Sequence, residues 1–388
     1  MITVSEALDT LFALARPLPV EEVPLMFAVG RVLARPVSAR RTQPPFDASA
    51  MDGYAVTAAR PGDMLTVIGE SAAGLRYDGT VGAGQAVRIF TGAPVPAGAT
   101  RVVIQEDVTR TGDTITIGDK LDSGTNIRPA GNDFAAGAEI PAPRVLTPND
   151  VALLAAMNIP TVPVTRRPRV ALISTGNELV MPGEEPGPDQ IIASNTFGLH
   201  AMLHQIGAEP RLLPIARDNV ESLKLAFDLT DDADLVITIG GASVGDHDLV
   251  AGVTEALGMS RAFYKVKMRP GKPLMSGRMG GKMMIGLPGN PVSAMVCGHV
   301  FVAPVIRALL GLGTAPAPRL TAPLAAPIGA NGPREHYMRA ALGPDGLRIF
   351  ERQDSSLLSV LGAANALVVR PVDDPARAAG ALVDYLPI

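Results

Sequence analysis

Between residues 169 and 313, short apolar runs of strand type alternate with helical segments, and this alternation limits the fold more than any other feature of the chain. Residues 170–174, 212–216, 235–239 and 263–266 read as strands. Residues 195–206, 218–229 and 249–257 read as helices, the middle one opening at Asp218-x-x-Glu221. Residues 273–276 and 283–287 then form a hairpin around Gly280-Gly281, and a long helix starts at Pro291. Alternation of this kind implies right-handed crossovers and a mostly parallel sheet between two helix layers. In such a sheet ligands bind beyond the carboxyl ends of the strands.

The flanking segments have a different texture. Residues 64–68, 86–90, 101–108 and 114–117 are β-type runs, and Thr111-Gly112-Asp113 reads as a hairpin turn joining the last two. With 40 Gly and 35 Pro in 388 residues, the two types make up about a fifth of the chain. That is below the roughly 25–30% of low-complexity sequence, so it signals tight turns. At the N-terminus, Thr3 and Glu6 make a capping box for a helix over residues 3–16, with Leu8, Leu11, Phe12 and Ala15 on one stripe and Pro17 and Pro19 as its stop. A second helical piece is expected over residues 25–34. Thr147-Pro148 opens another helix, which is expected to pack back on the N-terminal helices, because alone neither could bury its face. After Pro316 and Pro318, β-type runs at residues 336–341, 347–351, 366–370 and 381–385 suggest a small β-barrel.

Composition excludes several classes. A net charge of -4 is unsuited to a general nucleic-acid binder, which needs clustered cations. The single cysteine, Cys297, excludes a disulfide framework, a Cys-rich zinc site and an iron–sulfur cluster, and fits a reducing compartment. The first ten residues carry Glu6 and Asp9 and no basic stretch of a secretory signal. The most apolar stretch, residues 294–306, is interrupted by His299 and Pro304 and is shorter than the about 18 residues a membrane span needs. A soluble cytoplasmic chain is expected.

The loops at the strand ends carry the chemistry. They are Ser174-Thr175-Gly176-Asn177-Glu178, Arg217-Asp218, the Gly-rich run from Gly240 to Asp248, Lys267-Met268-Arg269-Pro270-Gly271-Lys272-Pro273, and Pro288-Gly289-Asn290-Pro291. Asn290 as cap and Pro291 at the first position make the last helix an anion seat. Lys265, Arg269 and Lys272 add positive charge, while Glu178, Asp218, Asp246 and Asp248 add carboxylates. Together they suggest a phosphorylated ligand with a bridging hard cation such as Mg²⁺. Asp218, Asp246 and Asp248 serve equally well as helix caps on local reading. Gly241-Ala242-Ser243-Val244-Gly245 matches a nucleophile elbow, with His299 or His336 downstream as a base, but the pattern is short and common. Gly271-Lys272 and Gly281-Lys282 lack the rest of a phosphate-binding loop. His200 and His204 share a helix face without the acid of a zinc motif. Cys297 reads as buried and inert, and Asp52-Gly53 and Thr91-Gly92 read locally as turns.

Longer strings carry a family resemblance. Phe46-Asp47-Ala48-Ser49-Ala50-Met51-Asp52-Gly53-Tyr54-Ala55 resembles the signature of the molybdopterin molybdenumtransferases, bacterial enzymes akin to the E domain of gephyrin and to plant molybdenum insertases. Ile89-Phe90-Thr91-Gly92-Ala93-Pro94-Val95-Pro96, residues 174–179, 240–245, 270–273 and 287–293 match in the same order, covering essentially the whole chain. The resemblance implies an elongated homodimer of four domains: a discontinuous helical domain (1–42 and 134–168), an inserted β-rich domain (43–133), an α/β molybdopterin-binding domain (169–314) and a C-terminal β-barrel (315–388). It implies a site between the α/β domain of one subunit and the β unit of the other, and insertion of molybdenum from molybdate into adenylylated molybdopterin with release of AMP. Carried over residue by residue, the acidic and polar positions are Asp52, Thr91, Asp133, Glu178, Asp218 and Asp248, with Glu178 and Asp218 as Mg²⁺ or water-positioning groups. The phosphate and pterin side falls on Ser243, Lys265, Arg269, Lys272, Pro288, Asn290, Pro291 and Ser355. A molybdopterin adenylyltransferase is the candidate delivering partner. Asn177 stands where the family usually has Asp, and Arg269 where bacterial relatives often have Lys. The alternative is a molybdopterin-binding or adenylylating protein that inserts no metal.

Overall fold

The computed structural model describes residues 1–241 and 249–388. Its centre is a six-stranded sheet in the order Glu209–Leu212, Arg169–Ser174, Leu235–Ile239, Lys282–Leu287, Pro273–Met279, Met259–Lys265. The first four strands are parallel, and the last two add antiparallel through the Gly280-Gly281 hairpin. Period-two alternation divides each strand between two layers. Val170, Leu172, Leu235 and Ile237 face a core shared with Leu199 and Leu203 of the helix Ser194–Gln205. Ala171, Ile173 and Val236 face a second core with Leu223 and Phe227 of the helix Val220–Asp228 and Val253 of the helix Leu249–Ala256. Methionines at 259, 275, 279 and 284 fill this second layer, in keeping with a chain that has no Trp. The mostly parallel α/β/α unit is therefore as expected, with its second strand ending at Leu212 instead of running to Ala216. Leu213 N and Ala216 N still donate to Leu172 O and Ser174 O at 2.9 Å, so the chain follows the sheet edge without regular pairing around Pro214.

The N-terminal helix Val4–Leu14 has the expected capping box of Thr3 and Glu6. Its packing differs from expectation. Val4, Ala7, Leu8 and Leu11 join the core of the α/β unit, and Arg278 Nη2 holds Leu14 O at 2.7 Å. The helix Pro148–Ala156, capped by Thr147 and Asp150, packs on the second N-terminal piece, the turn Leu25–Phe27, and not on the first helix. Its Leu154 sits in a core with Leu33, Val162 and Val164. The helical piece expected over residues 25–34 is absent: a strand Val20–Pro24, a single 3₁₀ turn Leu25–Phe27 and a strand Val32–Leu33 stand there. These strands pair with Thr161–Thr165 and Arg144–Val145 in a four-stranded sheet. Residues 1–42 and 134–168 thus hold two helices, Val4–Leu14 and Pro148–Ala156, and otherwise sheet, because pairing across the chain outweighs a short local helix signal.

Residues 43–133 build a second six-stranded sheet in the order Arg101–Ile104, Gly53–Val56, Gln85–Ile89, Met64–Ser71, Thr114–Ile117, Val108–Thr111. The run expected over residues 101–108 is broken by the 3₁₀ turn Gln105–Asp107, where Gln105 N turns to Asp52 O at 3.0 Å. The last two strands form the expected hairpin. At the C-terminus, Met268–Arg269, Glu335–Gly343, Ala366–Arg370, Leu382–Pro387 and Leu320–Pro323 pair in that order, with Gly346–Ile349 on Glu335–Gly343. The sheet curls until Leu324 bridges Leu347, which gives the barrel-like closure.

The long helix expected from Pro291 is present and runs on through His299 and Pro304. Pro291–Cys297, a π turn Gly298–Val302 and Ala303–Leu309 run as one rod from Pro291 to Leu309. In the π turn Ala303 N donates to Gly298 O, five residues back. By length and composition this rod could cross a membrane, but 78% of its most apolar window is buried inside the protein.

Candidate functional site

At the carboxyl ends of Arg169–Ser174, Leu235–Ile239 and Lys282–Leu287 lies a cleft of about 830 Å³. The loop after the first strand gives it Ser174, Thr175, Gly176 and Glu178. Asp218 comes from the neighbouring loop, Gly240 and Gly241 from the third strand, and Pro288 to Pro291 from the start of the last helix. Leu179, Ile191, Ile192 and Ile239 make an apolar wall. Backbone geometry requires glycine at two positions. A Cβ on Gly240, at φ +94, would stand 2.7 Å from Thr175 O. A Cβ on Gly176, at φ +149, would stand 2.4 Å from Glu178 Oε2, so the exposed Glu178 carboxylate lies over bare backbone.

Asp218 does not cap the helix after it. Asn219 does, with Oδ1 accepting from Ser222 N at 2.8 Å. Asp218 instead faces the Glu178 loop: Asn177 N donates to Asp218 Oδ2 at 3.3 Å, and Asp218 N donates to Asn177 Oδ1 at 3.1 Å. Arg217 Nη1 donates to the carbonyls of Gly176, Asn177 and Leu179. Sequence reading placed Arg217 in a strand-end loop but gave it no role, since nothing local distinguishes it from a surface arginine.

The expected anion seat is altered. Asn290 occupies the cap position and Pro291 the first turn, but Asn290 makes no side-chain cap. Its Nδ2 donates to Ser355 Oγ at 3.0 Å, and Val292 N donates to Ser355 O at 3.1 Å. The C-terminal segment therefore takes one of the N–H groups that an anion would have used. Ser355 is a latch between the C-terminal sheet and this helix, and Ser356 lines the cleft.

Behind that latch sits a cationic cluster that the sequence did not disclose. Arg339 is 0% exposed. Its Nη2 donates to Asp354 O at 2.8 Å, while its Nε and Nη1 have no hydrogen-bond partner among the described residues. Burial, opposed by Asp354 and assisted by Arg269, lowers the affinity of Arg339 for its proton. His336, 7% exposed with Nε2 unpartnered, is pushed down to about 4 by burial and by Arg269, Arg339, Arg334 and Arg370. Unmade bonds on a buried donor cost about 1–3 kcal/mol each, so such donors mark a place for an acceptor.

Other expected residues lie apart from the cleft lining. Lys265 stacks over the Tyr264 ring at 5.3 Å, and Arg269 and Lys272 are exposed near the edge where Pro273 joins the wall. Asp52 Oδ1 accepts from Thr91 N and Oγ1, and its carboxyl is held below the usual range first by the backbone bond, then by the hydroxyl. Asp133 is exposed on the same β unit. Ser243, Asp246 and Asp248 lie outside the described residues. Cys297 is buried against Gly271 O, with its thiol pushed far up by burial. Among the described residues no group of three or more His, Cys, Asp or Glu could hold a metal ion. The pair Glu178 and Asp218 nevertheless suits Mg²⁺, which takes one or two carboxylates and completes its shell with phosphate oxygens and water.

Comparison with known proteins accords with this arrangement. Residues 2–158 match the MoeA N-terminal region, domains I and II. Residues 171–308 match a probable molybdopterin-binding domain, and residues 321–388 the MoeA C-terminal region, domain IV. A molybdopterin molybdenumtransferase of Nostoc sp. is 38% identical over 95% of this chain and 89% of its own length. Molybdopterin molybdenumtransferase 2 of Mycobacterium tuberculosis is 37% identical over 92% of each chain. The crystal structure of a molybdopterin biosynthesis MoeA protein from Pyrococcus horikoshii superposes with a TM-score of 0.85 at 31% identity, covering 100% of this chain and 99% of that one. The chain is a molybdotransferase and belongs to the family of the molybdopterin molybdenumtransferases.

Proposed function

We propose that the protein inserts molybdenum from molybdate into adenylylated molybdopterin and releases AMP, as a step of molybdenum cofactor biosynthesis in the cytoplasm. The observation that carries this reading is Arg339: a fully buried guanidinium with two unpartnered nitrogens, joined through Asp354 and Ser355 to the rim of a cleft that holds two carboxylates. Unpartnered N–H donors on a guanidinium suit the oxygens of a tetrahedral dianion such as molybdate.

The remaining chemistry follows from the donor set. Molybdenum favours soft sulfur ligands, and the one thiol of the chain is buried and protonated. The dithiolene of the substrate must supply them. The apolar wall of Leu179, Ile191 and Ile192 receives the flat pterin, and Gly240 and Gly241 allow phosphate to approach the backbone. Glu178 and Asp218 would hold Mg²⁺, which would neutralise charge on the phosphoanhydride. The same two residues orient the water that opens it, so AMP leaves while the pterin stays. Catalysis is mainly positioning and charge stabilisation.

Asp52 and Thr91 form an exposed, pre-ordered carboxylate corner away from the cleft of their own chain. In a homodimer this corner completes the cleft of the second copy. A molybdopterin adenylyltransferase is the natural source of the substrate.

Purified protein incubated with adenylylated molybdopterin, Mg²⁺ and molybdate tests the reading. AMP release that depends on molybdate supports it. Tight pterin binding with no molybdate-dependent release would instead support a binding module.

A further inference from the structure

We propose that Arg217 is a positioning residue, a clamp that sets the distance between the two cleft carboxylates. One nitrogen, Nη1, reaches three carbonyls: Gly176 O at 3.4 Å, Asn177 O at 3.1 Å and Leu179 O at 3.0 Å. The carbonyl missing from this set belongs to Glu178. It turns the other way and accepts from Ile191 N at 2.7 Å. The loop is therefore wrapped around the guanidinium with Glu178 on its outer bend, where its side chain enters the cleft.

Arg217 is itself fixed. Its backbone N donates to Ser222 Oγ at 2.9 Å, and Ser222 N is held by the capping Asn219. Asn177 and Asp218 then tie the two loops directly through their reciprocal bonds. A rigid helix start thus dictates the loop of Glu178 by way of one side chain, and Asp218 lies in the same three-residue stretch as Arg217. A carboxylate pair of fixed span selects a hard cation by geometry, and groups that only orient ligands typically change metal affinity by about 10–100-fold. The clamp is read from geometry alone; what the carboxylates act on rests on the function proposed above.

Arg217→Met removes the clamp, and Arg217→Lys keeps a charge with three donors on a shorter stem. Hydrogen exchange should rise about tenfold in residues 176–180 of Arg217→Met while the Leu172 and Ile173 amides keep their protection. Mn²⁺, used as a spin-active substitute for Mg²⁺, should bind about tenfold more weakly by paramagnetic resonance titration. Arg217→Lys should fall between the two, and kcat should drop with little change in KM for the pterin. Should Arg217→Met fail to fold, Arg217→Lys and Asn177→Ala decide by the same readouts. Unchanged exchange in residues 176–180, or unchanged Mn²⁺ binding in variants whose loop has loosened, would overturn the clamp. If the wild-type protein bound no Mn²⁺ and released no AMP, the proposed function would fall, whereas the exchange result would still decide the role of Arg217 in the loop.

Discussion

Asp52 and Thr91 act as one unit, because a single carboxylate oxygen, Asp52 Oδ1, accepts both the backbone N–H and the hydroxyl of Thr91 at 2.7 Å. Arg88 supports the same corner. It donates to Gly53 O at 3.3 Å and lies over the rings of Tyr54 and Phe90. Asp52→Ala should therefore bind molybdopterin normally but lose molybdate-dependent AMP release, by about a hundredfold if it acts on charge in the transition state. Thr91→Val keeps one of the two bonds and should lose about tenfold. Mixing Asp52→Ala with Glu178→Gln protein should restore about a quarter of the activity, since heterodimers regain one intact shared site. No recovery in mixtures shown to exchange subunits would place the corner outside the partner's cleft.

Glu178→Gln retains shape and removes charge at the outer bend of its loop. Turnover should fall about a hundredfold with the melting temperature within a few degrees of wild type, since the side chain is exposed. Unchanged turnover, measured as AMP formed per protomer, would demote Glu178 to a structural residue.

Arg339→Met should raise the KM for molybdate at least about tenfold and leave pterin affinity alone. The stability cost should be small for so deeply buried a residue. An apolar replacement ends the penalty of the two unpartnered nitrogens, which offsets loss of the bonds to Arg352 O and Asp354 O. An unaltered KM for molybdate would remove Arg339 from the oxyanion site.

His336 gives stability a defined pH dependence. Its value of about 4 in the folded protein lies below the 6.5 of the free side chain, so the unfolded chain binds the proton more readily between those limits. Stability is then full above about 6.5 and declines as pH falls toward about 4, by on the order of 3 kcal/mol in total. The shifted carboxylates, Asp52, Asp150 and Asp374 among them, are all lowered and lose their contribution only at more acid pH. Half-buried His299 is lowered too, by desolvation, and adds a decline of the same sign. Urea midpoints of wild type and His336→Gln compared at pH 7 and pH 4.5 isolate the effect: the variant should show the shallower decline.

Local signals and tertiary pairing contributed unequally to what the sequence disclosed. The capping boxes of Thr3 and Thr147, the 280–281 hairpin and the strand-end glycines depend on neighbours within a few residues, and they formed where expected. Residues 25–34 carry apolar spacing compatible with a helix, yet Val20–Pro24 pairs with Thr161–Thr165, about as far away in sequence as a local rule can fail. Asp218 and Asn219 both suit a cap by type, and only the extended backbone of Asn219 decides between them. Arg339 is an ordinary residue of the strand Glu335–Gly343. Its isolation arises from segments that fold over it, Arg352 to Asp354 and Met268–Arg269, and no spacing within its own strand encodes that.

The central claim is that molybdenum ends on the sulfurs of the pterin in a cleft whose own chain offers it no thiolate. X-ray absorption at the molybdenum edge, recorded on the protein after a single turnover with adenylylated molybdopterin, Mg²⁺ and molybdate, tests it most directly. Two sulfur neighbours of molybdenum should appear together with one equivalent of AMP. A spectrum that keeps only the oxygen shell of molybdate, with AMP released all the same, would contradict it.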